Sequence, residues 1–92
     1  MVEVVQVGVA DGDRLAVVVR CLAPTRLGAR FHLAGSDGRG VVVVVAEIRR
    51  YPQVTVDEVY PPHGARLVLT GAGAGGLRVE PGDVLRGSGP EV

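Results

Sequence analysis

The sequence is poor in cysteine and in aromatic residues, contains no lysine, and lacks any long apolar run. Its single cysteine, Cys21, cannot form a disulfide within the chain, which favours a reducing compartment. No apolar stretch approaches the roughly 20 residues that span a bilayer. The N-terminus carries Glu3 where a secretory signal carries basic residues. These absences predict a soluble, cytoplasmic protein with no membrane segment.

The chain also lacks an excess of charge of either sign. Ten arginines are balanced by ten aspartates and glutamates, so the formal net charge at pH 7 is +0. A balanced chain has no general electrostatic attraction to nucleic acid or to an acidic membrane surface. Because phosphate contacts supply most of the affinity for RNA, this balance counts against tight RNA binding.

Valine and glycine are what the chain has in abundance. Valine runs at 17–19 and 41–45 favour β-structure, because a branched Cβ suits a pleated surface better than a helix. Fourteen glycines and six prolines supply the turns that many short strands require. Ninety-two residues are enough for one small domain. We therefore expect a single domain over 1–92, with 86–92 as a frayed tail.

Apolar runs separated by turn residues predict six or seven strands. The predicted strands are 2–9, 14–22, 30–35, 41–51, 65–71 and 82–87, with turns at 10–13 and 36–40. Residues 53–59 are predicted to form a shorter strand or a bend. No stretch repeats apolar residues at helical spacing over three turns, so essentially no helix is expected. The fold prediction is all-β: a small closed six- to seven-stranded antiparallel barrel. A barrel is favoured over a compact sandwich because closure removes exposed strand edges.

The longest predicted strand, 41–51, has two faces that differ toward its end. Val42, Val44, Ala46 and Ile48 form a face that stays apolar throughout. The opposite face ends in charged residues. Strict alternation therefore predicts that the face from Val42 to Ile48 points into the core.

The stretch Gly71-x-Gly73-x-x-Gly76 has the spacing of a dinucleotide-binding loop. Such a loop needs a helix directly behind it and a βαβ unit of roughly 30 residues. Pro81 would lie inside that helix, and only sixteen residues follow Gly76. The context therefore predicts a flexible structural loop, with one or two residues at positive φ, and no nucleotide cofactor.

Residues 54–89 resemble the second half of domain 2, a β-barrel, in translational GTPases of the elongation factor Tu type. The matching elements are "RLVLTG" at 66–71, the glycine loop, and the closing segment "VEPGDVL" at 79–85. Pro81 replaces the arginine that the family carries in the closing segment.

The first half of the chain matches the same family more loosely. Leu27-Gly28 and Phe31-x-Leu33 stand where its pattern expects them. The pattern is broken at Arg20, where the family usually has glycine, and at Ala29, where it has an acidic residue.

The resemblance implies a β-barrel that docks tRNA ends, ribosomal RNA or a partner domain. The chain contains no GxxxxGK(S/T) motif, which excludes GTP hydrolysis. The leading prediction is a non-catalytic module that binds RNA or a protein of the translation machinery. The alternative is a protein-interaction or structural module with no RNA role, which could form a homodimer through an exposed strand edge or a valine-rich face.

Arg49, Arg50 and Tyr51 are the candidate binding residues. Two guanidiniums and an aromatic ring at a strand end could hold a phosphate and stack a base. Successive strand residues point to opposite faces, so the two arginines are expected to diverge. The competing interpretation is an ordinary solvated strand end.

Few groups in the chain could support catalysis or metal binding. The candidates are His32, His63, Cys21 and the pair Asp57-Glu58, and none falls at a known ligand spacing. We therefore predict no metal site and no enzymatic activity. A small enzyme using His63 with Asp57 or Glu58 is the minor alternative.

Overall fold

A computed structural model describes residues 1–34, 40–50 and 54–87. Its elements are β1 (Val2–Asp11), β2 (Arg14–Cys21), β3 (Thr25–Arg26), β4 (Arg30–Ala34), β5 (Gly40–Arg50), β6 (Val54–Val56), β7 (Glu58–Val59), β8 (Gly64–Thr70), a 3₁₀ turn (Ala74–Gly76) and β9 (Val84–Leu85). Tyr51, most of the predicted turn at 36–40 and the end of the predicted tail lie outside the described residues.

The strands form a nearly closed antiparallel barrel, which confirms the predicted fold class. The order around the barrel is β4-β5-β8-β2-β1-β9. Phe31 of β4 forms a bridge with Gly87, just beyond β9, and so brings the last strand back to the first. β6 pairs with β5 beside the barrel. β3 and β7 form a separate two-stranded sheet, called here the small sheet.

Regular helix plays almost no part in the described residues. The only helical element there is the three-residue 3₁₀ turn, in agreement with the predicted all-β class. Over the same residues, no helix has the length and apolar character needed to cross a membrane.

The core is formed by the inward side chains of every barrel strand. Those with an exposed fraction of 2% or less include Val2, Val4, Leu15, Val17, Val19, Phe31, Val43, Val45, Ile48, Leu67, Leu69 and Leu85. Burial of one such side chain contributes about 1.5–3 kcal/mol relative to exposure. Sheet closure is thus the means by which a chain so rich in valine removes apolar surface from water.

The predicted inward face of β5 is wrong for three of its four residues. Val43 and Val45 are buried, whereas Val42 is 47% exposed and Ala46 is exposed. The cause is a bulge at Ala46: the register with β8 shifts between Val45 and Glu47. One extra residue reverses the alternation, so Ile48 points inward as predicted.

The glycine loop closes one end of the barrel. The amides of Gly71 and Gly73 donate to the carbonyl oxygen and to Oδ1 of Asp13, at 3.0 and 3.1 Å. The amide of Gly75 donates to the Gly12 carbonyl oxygen at 2.8 Å. Gly73 has φ of 82°, which confirms the predicted positive φ. These hydrogen bonds anchor the loop, in contrast to the flexibility expected for it.

Candidate nucleic-acid interface

The bulge in β5 determines which side chains reach the outer face of the barrel. Val43 and Val45 point inward, so an unbulged strand would also turn Glu47 and Arg49 inward. With Ala46 as an extra residue, Ile48 takes the inward position and Glu47 and Arg49 lie outside. Bulges commonly re-aim side chains in this way beside functional sites.

Arg49 lies directly opposite Arg66 across the β5–β8 pair. On the outer face of an antiparallel sheet, such partners have Cβ atoms about 4.5–5.5 Å apart. On its other side, Arg66 lies opposite Val18 of β2, and Arg20 follows Val18 by two positions on the same face. All three arginines are exposed. Arg49, Arg66 and Arg20 are called here the arginine row.

The placement of Arg49 beside Arg66 does not serve the stability of the sheet. Like charges directly opposite each other across two strands are destabilising. Guanidinium groups are, however, well matched to phosphate, because their planar donors can bind it in a bidentate fork. The arrangement is therefore chemically able to hold a polyanionic ligand on this face.

Acidic residues occur mainly in other parts of the molecule, although the net charge is zero. Asp13 anchors the glycine loop. Glu58 belongs to the small sheet, and Glu80 and Asp83 lie in the turn before β9. These four acids therefore lie outside the arginine row.

Two carboxylates nevertheless border the arginine row. Glu47 forms an ion pair with Arg49, through Oε2 of the glutamate and Nε of the arginine. Glu3 of β1 lies opposite Arg20. The cross-strand neighbours of Arg66 are Arg49 and Val18. Arg66 thus lies between Arg49 and Val18, and neither of these cross-strand neighbours is acidic.

The structure places only one of the three predicted binding residues in the row. Arg49 belongs to it, whereas Arg50 follows on the opposite side of β5 and pairs with Val54. Tyr51 lies outside the described residues. Arg66 was not among the predicted binding residues, because it pairs with Arg49 through the long-range register of β5 with β8, which no local sequence pattern shows.

A line of half-buried apolar residues crosses the same outer face. Val68 lies between Glu47 on β5 and Ala16 on β2. Val18 and Val44 are also half-buried on this face. The face therefore combines an apolar centre with arginines at its margin.

The small sheet carries a second polar cluster. Arg26 Nε donates to Glu58 Oε2 at 2.9 Å across the β3–β7 pair. The Tyr60 hydroxyl also donates to Glu58, and this bond, together with Arg26, lowers the pKa of that carboxyl. The same hydrogen bond raises the pKa of Tyr60. Charge on Glu58 is thus stabilised by neighbours that hold it in place.

Among the other residues considered for catalysis, Cys21 and His63 are backbone neighbours: the Cys21 amide donates to the His63 carbonyl oxygen at 2.9 Å. His63 Nδ1 lies 3.2 Å from the Tyr60 carbonyl oxygen, and the imidazole is exposed. His32 is on β4 opposite Val42. Cys21 is buried, with Sγ 2.7 Å from the Ala23 carbonyl oxygen. Within the ranges 1–34, 40–50 and 54–87, no three histidine, cysteine or acidic side chains are grouped as metal ligands.

The glycine loop lacks the surroundings of a nucleotide site. After Gly71, the described chain forms a three-residue 3₁₀ turn and continues extended from Leu77. The amides of Gly71, Gly73 and Gly75 are already bonded to residues 12 and 13. The loop therefore contributes to the fold through these hydrogen bonds.

Comparison of the chain with protein-family models, with curated proteins and with solved structures finds no match. What the fold defines is a class: a small, nearly closed antiparallel β-barrel.

Proposed function

We propose that this protein is a non-catalytic module that binds RNA through the arginine row. The observation that carries the proposal is the pairing of Arg49 with Arg66, with Arg20 adjacent on the next strand. Such a row suits the phosphate backbone, which supplies affinity without reading sequence.

The resemblance of residues 54–89 to domain 2 of translational GTPases supports a place in the translation machinery, and hence in the cytoplasm. A small antiparallel barrel is the fold that such a domain would need. Function does not follow from fold, so the proposal depends on the surface.

Arg66→Ala is the most direct test. Binding of a fluorescein-labelled RNA hairpin, followed by anisotropy at increasing salt, should weaken steeply for the wild type. Three phosphate contacts give a log–log salt slope of about −2 to −3. Arg66→Ala should weaken binding and reduce the size of that slope by about 1.

The matched control is Arg78→Ala, which removes the same charge from an exposed position outside the row. We expect Arg78→Ala to bind RNA nearly as the wild type does. Equal losses in both variants, or no binding by the wild type at low salt, would contradict the proposal.

A protein partner is the second candidate, favoured by the half-buried valines Val18, Val44 and Val68 on the same outer face as the arginines. An acidic, amphipathic surface of a partner, or a second copy of this barrel, would fit such a face. Val68→Thr keeps the shape and adds a hydroxyl. It should leave RNA binding unchanged but weaken a protein contact. A homodimer would show doubled mass in light scattering.

A further inference from the structure

We infer that Glu47 is a built-in competitor for the arginine row, so that the row selects extended polyanions over single phosphate groups. This inference rests on the proposed RNA-binding function and concerns the selectivity of the same face.

Glu47 is positioned to compete because the bulge at Ala46 turns it outward together with Arg49. Its Oε2 occupies the Nε–H donor of Arg49. Phosphate is held best by the paired donors of a guanidinium fork. A phosphate can therefore use the Nε-containing fork of Arg49 only after it has displaced Glu47.

The ion pair is weak enough to be displaced. The side chains of Arg49 and Glu47 are 46% and 27% exposed. Exposed pairs of this kind contribute little net free energy, because water screens them and two side chains must be held in one geometry. A ligand with several charges can exchange this contact for its own.

The three arginines of the row differ in the acidic residues that lie beside them. Arg66 has Arg49 and Val18 as its cross-strand neighbours, whereas Arg49 is paired with Glu47 and Arg20 lies opposite Glu3. At Arg66 a single phosphate meets no carboxylate in a cross-strand position. An RNA strand that reaches all three arginines gains enough to displace Glu47 from Arg49. The row therefore discriminates by the length of the polyanion.

Glu47→Gln tests the inference, because it keeps the shape and removes the charge. Removal of one unit charge beside the ligand should raise affinity for the labelled RNA hairpin by about fivefold. The affinity for uridine monophosphate, added as a competitor, should rise by a larger factor than the affinity for RNA. The preference for RNA over the monophosphate should therefore fall. The control is Glu80→Gln, which removes an exposed acid from the turn before β9. It should change neither the affinity for RNA nor the preference for RNA over the monophosphate.

A double-mutant cycle separates local competition from net charge. In an Arg49→Ala background, Glu47→Gln should give no more gain than Glu80→Gln gives. Direct support would come from the Arg49 Nε–H signal in ¹H–¹⁵N spectra, which should move both in Glu47→Gln and on addition of RNA to the wild type.

The outcomes distinguish this inference from the proposed function. If the wild type binds RNA through Arg66 but Glu47→Gln and Glu80→Gln behave alike, the competitor role is wrong and RNA binding stands. An unchanged preference for RNA over uridine monophosphate in Glu47→Gln leads to the same conclusion. If Arg66→Ala has no effect, both proposals fail.

Discussion

Gly71 and Gly75 lie where a methyl group would collide with backbone oxygen. A Cβ on Gly71 would be 2.5 Å from the Val42 carbonyl oxygen, and one on Gly75 would be 2.6 Å from that of Gly12. Gly71 allows the loop to approach β5, and Gly75 allows it to approach the turn between β1 and β2. Close approach, more than conformational freedom, is the reason for glycine at these positions.

Gly71→Ala and Gly75→Ala should each destabilise the fold by about 1–3 kcal/mol, because backbone must move to admit the methyl group. Urea unfolding followed by circular dichroism measures the change. The control is Gly76→Ala, where a Cβ meets nothing within 4 Å. That variant should be neutral or slightly stabilised, since alanine reduces the entropy of the unfolded chain. Equal losses at all three positions would contradict a close-approach role.

At the scale of elements, the small sheet is held by a chain of polar contacts. Arg26 on β3 and Tyr60 beyond β7 both bond to Glu58. Thr25 and Val59, which pair beside them, are buried. The inner side of this short pair therefore packs on the core, while its outer side depends on one charged carboxylate.

The sheet should weaken in acid, because the folded-state pKa of Glu58 is lowered. A lowered pKa means that the stabilisation is present above the unfolded-state pKa, about 4.3 for glutamate, and is lost as pH falls through the folded value. Glu58→Gln should lower the melting temperature at neutral pH, and the difference from the wild type should shrink in acid. Thermal unfolding at several pH values measures this.

Glu80→Gln is the control for that pH series and should not reproduce the pattern. A difference between wild type and Glu58→Gln that stays constant from neutral to acid pH would show that charge on Glu58 does not hold the small sheet.

The sequence predicts the strands well because each valine run ends at glycine, proline or a polar turn. β3 was missed, since two residues between Pro24 and Gly28 carry no periodic signal. The inward face of β5 was wrong because one extra residue, Ala46, is invisible to an alternation rule.

The candidate site was less predictable than the fold. Arg49 was found from its local neighbours, but Arg66 became its partner only through the register of β5 with β8. Arg20 joins them through a third strand. Tertiary pairing creates this surface, so composition and net charge gave no sign of it.

At the scale of the whole molecule, the barrel is built from segments distant in sequence. β2 pairs with β8, and β1 pairs with β9 near the other end of the chain. Loop closure on this scale must precede the favourable contacts, so folding is slow. We expect refolding in milliseconds to seconds, measured by stopped-flow circular dichroism after dilution from urea. Complete refolding within microseconds would contradict this topology.

The pairing of Val2 with Leu85 has a consequence for protein architecture. It places the start of β1 and the end of β9 side by side, one strand spacing apart. A host protein can therefore carry the whole barrel as an insert in a surface loop, joined by two short linkers, without separating the ends of that loop. The same adjacency makes the barrel a natural scaffold for circular permutation, with new ends opened at an exposed turn.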